Sequence, residues 1–212
     1  VRAEVNNIMG LYQKFILPRL IDVAMRNKEV AARREELIPK ASGAVLEIGV
    51  GSGLNLPFFP GTITRLSGVD PSVELLSMAR RKLNALPYPV ELFCQSAEEL
   101  PFDDRSFDTA VLTWTLCSIA DPIQALAEVK RVLRPDGRLL FVEHGLSPDP
   151  KVQVWQHRLT PMWKRIGGGC HLNRKIDDLV RPAGFRIVEL HTNYLPGPRP
   201  MSFTYQGIAS PT

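Results

Sequence analysis

Cysteine is scarce in this sequence, and it carries no long apolar run. Its three cysteines, Cys94, Cys117 and Cys170, are an odd number without C-x-x-C spacing. No disulfide framework or zinc knuckle can be read from them. Such usage suits a reducing compartment, and the cytoplasm is the simplest expectation. No stretch reaches the roughly 18 apolar residues that a spanning helix needs. The first residues read as lacking a signal peptide, because Arg2 is not followed by an unbroken apolar core. Repeats and low-complexity tracts are missing, which argues against a solenoid. A strong charge of one sign is missing too. Lys and Arg number 26 against 22 Asp and Glu, and so mild and scattered an excess argues against a nucleic-acid partner. Residues 1–40 hold eight basic against five acidic residues, so a surface partner is worth considering only there.

What is present reads as one folded unit. At 44% hydrophobic and 23% charged over 212 residues, the chain can bury a sizeable core without staples. Near the N-terminus Ile8, Leu11, Tyr12 and Phe15 recur at helical spacing, and Pro18 should kink or interrupt that helix. A second helix is predicted at 31–38. Short apolar runs then predict strands at 44–48, 65–69, 90–94, 109–113 and 138–142, with helices at 72–84 and 122–133 between them. Strands alternating with helices imply a parallel sheet with right-handed crossovers. The end of the chain differs. Helices are predicted at 152–166 and 175–183, and strands at 185–191 and 203–209. The strands are joined by Leu195-Pro-Gly-Pro-Arg-Pro200, a turn-rich link read as containing no helix, which suits an antiparallel pair. The expected fold class is therefore α/β: a Rossmann-like, doubly wound, mostly parallel seven-stranded sheet ending in an antiparallel hairpin. In this single domain, 1–40 would form a helical lid or cap, 43–143 a cofactor-binding core, and 144–212 the substrate side.

The most informative motif is Glu47-Ile-Gly49-Val-Gly51-Ser-Gly53, directly after the first predicted strand. Glycine there lets the backbone turn sharply and approach a ligand. At the end of the next strand stands Asp70, where an acid can accept hydrogen bonds from ribose hydroxyls. Together they fit an adenosine-containing cofactor. The dinucleotide fingerprint is G-x-G-x-x-G with a pyrophosphate on a helix N-terminus. The spacing here is G-x-G-x-G, and Glu47 would repel a pyrophosphate. Its charge suits the sulfonium and ammonium of S-adenosylmethionine instead.

The series Glu47–Gly53, Gly68-Val-Asp70-Pro-Ser72, Gln95-Ser-Ala-Glu98, Ser106-Phe-Asp108 and Leu133-Arg-Pro-Asp-Gly137 resembles the successive motifs of class I methyltransferases. The resemblance implies that Glu47, Gly49, Gly51 and Gly53 line S-adenosylmethionine, with S-adenosylhomocysteine as the product. It implies that Asp70, with Pro71 beside it, holds the ribose. Ser96, Ala97 and Glu98 would flank the adenine, and Thr113 and Trp114 the methionine portion. Leu133-Arg-Pro-Asp-Gly137 reads as a helix stop and turn. A narrower set resembles the thiol S-methyltransferase-like group: Leu116-Cys-Ser118, Glu143-His144, Trp155-Gln156, Pro161-x-Trp163 and Gly169-Cys170-x-Leu172-x-Arg174. Animal members of that group carry an N-terminal membrane anchor, which this sequence reads as lacking.

The reaction so implied is an in-line methyl displacement, for which the protein aligns the acceptor, excludes water and removes a proton where needed. Histidine titrates near neutrality, so His144, at the end of the fifth strand, is the first catalytic candidate. His171 is an alternative base and Arg174 a fixed positive charge. No metal site is required by the spacing of Cys117, Cys170, His144 and His171. Trp155 and Trp163 are expected on one helix face, as core or as an aromatic substrate wall. Leu11, Tyr12 and Phe15 are expected either over the pocket as a lid or docked on the sheet edge. The leading expectation is a small-molecule acceptor, a thiol or other soft nucleophile. Two alternatives stay open: a lipid amine or quinone, with the N-terminal helix in peripheral contact with a membrane, and a non-catalytic cofactor-binding regulator.

Overall fold

A computed structural model describes residues 12–212; Ile8 and Leu11 of the expected N-terminal helix lie outside them. A π-type turn, Tyr12–Ile16, runs into α1 (Leu17–Ala24), and α2 (Lys28–Leu37) follows. Pro18 occupies the first turn of α1, where its missing N–H costs nothing. The chain then alternates through β1 (Ala44–Ile48), β2 (Arg65–Val69), α3 (Val73–Arg80), β3 (Val90–Phe93), β4 (Phe107–Thr113), α4 (Pro122–Val132) and β5 (Leu133–His144). It closes with α5 (Pro150–Ile166), α6 (Ile176–Val180), β6 (Phe185–Tyr194), α7 (Arg199–Ser202) and β7 (Phe203–Pro211).

Local chemistry starts the helices where the sequence indicates. Asn27 accepts a hydrogen bond from the N–H of Val30, Ser72 from Leu75, and Asp121 from Ile123 and Gln124. Each such cap is worth about 1 kcal/mol. Every residue of β1 is buried, as expected for a central parallel strand covered on both faces. One face packs Leu46, Ile48 and Leu112 with Leu126 and Val129 of α4. The other packs Val45, Leu66, Val111 and Leu140 with Leu37 of α2.

The seven strands lie in the order β3-β2-β1-β4-β5-β7-β6. All pairs from β3 to β5 are parallel, and β7 pairs antiparallel with both β5 and β6. The chain leaves β1 toward β2 and returns to β4 on its other side. That reversal opens a crevice beyond the carboxyl ends of β1 and β4, where doubly wound sheets bind ligands.

Two expectations are corrected. Leu133-Arg-Pro-Asp-Gly137 is not a turn outside the sheet. Leu133 already pairs with Phe107, and the next pair is Thr109 with Arg138, so residues 134–137 bulge from β5. The link between β6 and β7 does contain a helix, the single turn α7, which starts at the Pro198-Arg-Pro200 sequence because proline suits a first helical turn. Among the described residues, no helix is long and apolar enough to cross a membrane.

Candidate active site

The crevice is a cavity of about 880 Å³, within the size range of small-molecule sites. The loop after β1 forms its floor. Gly49, Gly51 and Gly53 all have positive φ, at 71°, 55° and 74°. A side chain on Gly49 would collide with Thr115 Oγ1 at 2.2 Å, so this glycine lets the β1 and β4 loops pass each other. Around Gly51 there is open space; a Cβ would meet only Gly49 O at 3.8 Å. Gly51 thus presents bare backbone to the cavity. Gly53 packs under Leu56 and does not line the cavity, so its glycine serves the turn rather than the expected ligand contact.

Asp70 caps this floor. Its Oδ2 accepts from Gly51 N–H at 2.9 Å and its Oδ1 from Ser72 N–H at 2.8 Å. Each carboxylate oxygen keeps a lone pair for another donor. Burial raises the Asp70 pKa above its ordinary value, and the two backbone bonds pull against that. Pro71, Ser96, Ala97 and Glu98 continue the same wall. Ser96 hydroxyl is hydrogen-bonded to the Glu98 carboxylate, which also accepts from Asp121 N–H.

Behind the floor lies a polar network that the sequence did not announce. Arg34 donates to Asn55 Oδ1 at 2.8 Å, and Asn55 Nδ2 donates to Glu47 Oε1 at 2.7 Å and Thr113 Oγ1 at 2.8 Å. The Arg34 guanidinium lies 5.0 Å from the ring centre of Trp114. Trp114 itself has φ 51°, a costly backbone for a bulky residue and one often kept at functional sites. Glu47 is fully buried and lines the cavity, and its Oε2 has no hydrogen-bond partner. Burial pushes its carboxyl up to about 8, only partly offset by Asn55 and the Arg34 charge. Once ionised, a buried carboxylate oxygen with no partner, facing a cavity, is a receptor for a cation. The cradle at Gly51, the acid at Asp70 and this orphan oxygen fit a ligand with a ribose at one end and an ammonium at the other.

The other end of the cavity lies beyond β5. His144 is buried on the cavity wall, and its Nε2 has no partner. His171 and Arg174 do not reach the wall. The His171 N–H and ring Nδ1 both meet Cys117 O, at 2.8 and 3.2 Å. Arg174 donates to Leu116 O and Ile119 O at 2.6 and 2.7 Å. Both support the loop after β4 from behind, because its buried carbonyls need donors. Glu143 completes that support. Its buried carboxylate accepts from the N–H groups of Thr115, Leu116 and Cys117, a role not read from the sequence. Its pKa is raised to about 7 by burial, against those three bonds.

The roof comes from the N-terminal segment and the end of α5. Tyr12 lines the cavity and donates to Ile166 O at 2.9 Å. Phe15, expected beside it, is exposed and does not line the cavity. Asp22 of α1 accepts from Ser52 of the glycine loop at 2.5 Å, so the roof is tied to the floor. Trp163 lines the cavity, but Trp155 is 55% exposed, with Arg158 near its ring. The two tryptophans therefore do not share one role.

Comparison with known proteins agrees with this geometry. The family described as "Methyltransferase domain" matches residues 46–141. The chain is 33% identical to thiol S-methyltransferase TMT1B of Homo sapiens over 200 residues, covering 86% of this chain and 82% of the relative. It is 35% identical to the Rattus norvegicus protein of the same name over 150 residues, 69% of this chain and 61% of that relative. The match thus spans less than two thirds of the rat protein's length. A solved SAM-dependent methyltransferase from Methanosarcina mazei has the same fold, with a TM-score of 0.66 at 24% identity, covering 81% and 93% of the two chains. On these relatives and this fold, the chain belongs to the class I S-adenosylmethionine-dependent methyltransferases.

Proposed function

We propose that this methyltransferase acts on a small thiol held at the His144 end of the cavity. His144 carries the reading. It is buried on the wall at the end of β5, and its Nε2 has no partner in the protein. A free thiol is mostly protonated at neutral pH, with a pKa of about 8.5, and only the thiolate attacks well. A ring nitrogen free to take that proton supplies what a thiol acceptor needs. The relatives named thiol S-methyltransferases support the same substrate class.

When bound, S-adenosylmethionine supplies the activated methyl group and the leaving sulfide. The protein's own residues would bind, orient and exclude water. Glu47 would meet the cationic end through Oε2, Asp70 the ribose, and the Gly51 backbone would allow close approach. Ser96, Ala97 and Glu98 would flank the base, and Thr113 and Trp114 the methionine portion. Glu143, Arg174 and His171 would hold the loop after β4 so that acceptor and cofactor edge stay aligned. Tyr12 and α1 would keep water out.

A mass-spectrometric methylation screen over thiols, amines, quinols and phospholipids tests this. Methylated thiols are expected. Methylation of a lipid amine or quinol but no thiol would overturn the acceptor. Cofactor binding without methylation of any acceptor would favour a regulator instead.

A further inference from the structure

The acceptor end of the cavity holds two thiols for which methyl transfer has no use. Cys117 follows β4 and is buried, Cys170 follows α5 and is half-buried, and both line the cavity. The backbone bond from His171 N–H to Cys117 O, at 2.8 Å, ties the two loops together. Both thiols open on the same end of the cavity, and Cys117 Sγ lies 3.6 Å from Ser118 Oγ. Cys170 Sγ lies 3.8 Å from His144 Nδ1.

We propose that Cys117 and Cys170 form a redox-active dithiol pair that exchanges with low-molecular-weight disulfides entering the acceptor chamber. The two positions divide the work. Cys170 is the more accessible, and the neighbouring Cys117, with Trp163 and the Arg174 charge, lowers its pKa against burial. Cys117 is buried, and Cys170 beside it together with that burial raises its pKa well above the ordinary value. An accessible thiol of lowered pKa attacks, and a buried neighbour resolves.

The balance is as follows. Cys170 gives its proton to His144 Nδ1, and its thiolate attacks one sulfur of the disulfide. A bond forms between Cys170 and that sulfur, the original sulfur–sulfur bond breaks, and the first thiolate leaves, taking the proton from His144. Cys117 then attacks the Cys170 sulfur and closes the intramolecular disulfide. The second thiolate leaves with the Cys117 proton. Two protein thiols are oxidised to one disulfide, and the small disulfide is reduced to two thiols. A dithiol reductant restores the pair.

The test uses the reduced full chain and bis(2-hydroxyethyl) disulfide. It reads intact mass, released thiol and a peptide map, and requires no methyl transfer, so it is independent of the acceptor assignment. Expected are loss of two hydrogen atoms without an adduct, release of two thiols per chain, and a linked Cys117–Cys170 peptide. The exposed Cys94 serves as the reference for an ordinary surface thiol. Cys117→Ser should stop at a mixed disulfide on Cys170 with one thiol released. Cys170→Ser should lose the exchange at this pair. Binding of S-adenosylhomocysteine verifies that each variant is folded. If the wild-type chain keeps Cys117 and Cys170 freely alkylatable, or carries adducts on Cys94 alone, the proposal fails, whatever the variants do.

Discussion

Cofactor binding should be coupled to the ionisation of Glu47. The carboxyl is fully buried, with its pKa raised from 4.5 to about 8 in the ligand-free protein. The charged groups that act on it are Arg34 of α2, which favours its charge, and Asp70 beyond β2, which opposes it. At pH 7 a group with a pKa of about 8 is about nine-tenths protonated, so binding a cation at Oε2 should release nearly one proton. If the bound carboxyl titrates near its ordinary value, affinity should rise roughly fifty-fold between pH 6 and pH 8. Titration calorimetry in buffers of different ionisation enthalpy counts the proton. The cofactor's own amine titrates too, with a pKa near 8 as an α-amino group, so Glu47→Gln is the control. In that variant the amine's contribution remains and the Glu47 contribution disappears. The stability sign runs the other way. A carboxyl whose folded pKa is raised lends stability that is full below its unfolded pKa and lost as pH rises through the folded value. The melting temperature of the ligand-free enzyme should therefore fall from about pH 5 to pH 8, and less so in Glu47→Gln. A wild-type affinity that is flat from pH 6 to pH 8, with no buffer-dependent enthalpy, would refute a cation site at Glu47.

Three further outcomes follow from the same geometry. If His144 is the base, His144→Ala should slow thiol methylation by about 10²–10⁴-fold, with a smaller loss at alkaline pH and unchanged cofactor affinity; an unaltered rate across pH would remove the role. Gly51→Ala should weaken cofactor binding and cost about 1–2 kcal/mol for its positive φ, whereas Gly49→Ala should lower the melting temperature more, because it adds to the same strain a Cβ that meets Thr115 at 2.2 Å; calorimetry and thermal melts on both would expose the reverse pattern. Asp22→Ala should weaken S-adenosylhomocysteine binding several-fold, because it frees Ser52 in the glycine loop. An effect on acceptor methylation alone would make α1 a lid only.

The sequence by itself determined the sheet and the cofactor edge. Ala44–Ile48 and Arg65–Val69 lie where their apolar runs end, because a strand buried on both faces leaves a run of apolar residues bounded by turn formers. The glycines and Asp70 were legible for a related reason: a sharp turn against a ligand accepts few residue types, and their spacing is local. Glu47 was legible as an acid in a telling place. Its missing partner and its high pKa were not, since both depend on how completely α2 and Asn55 wall it off. Tertiary structure alone decided the rest. Arg34 meets Asn55, and Asp22 meets Ser52, only because α1 and α2 fold back over the glycine loop, and Asn55 meets Thr113 only because β1 and β4 lie side by side. No local pattern marks such polar pairs. The same holds behind the acceptor chamber. Arg174 and His171 carry residue types suited to chemistry, but the carbonyls of the loop after β4 use their donors first. Cys117 and Cys170 are far apart in the chain and without motif spacing. Hydrogen bonds from His171 and Arg174 to the loop after β4 make them neighbours, and only the fold could supply those.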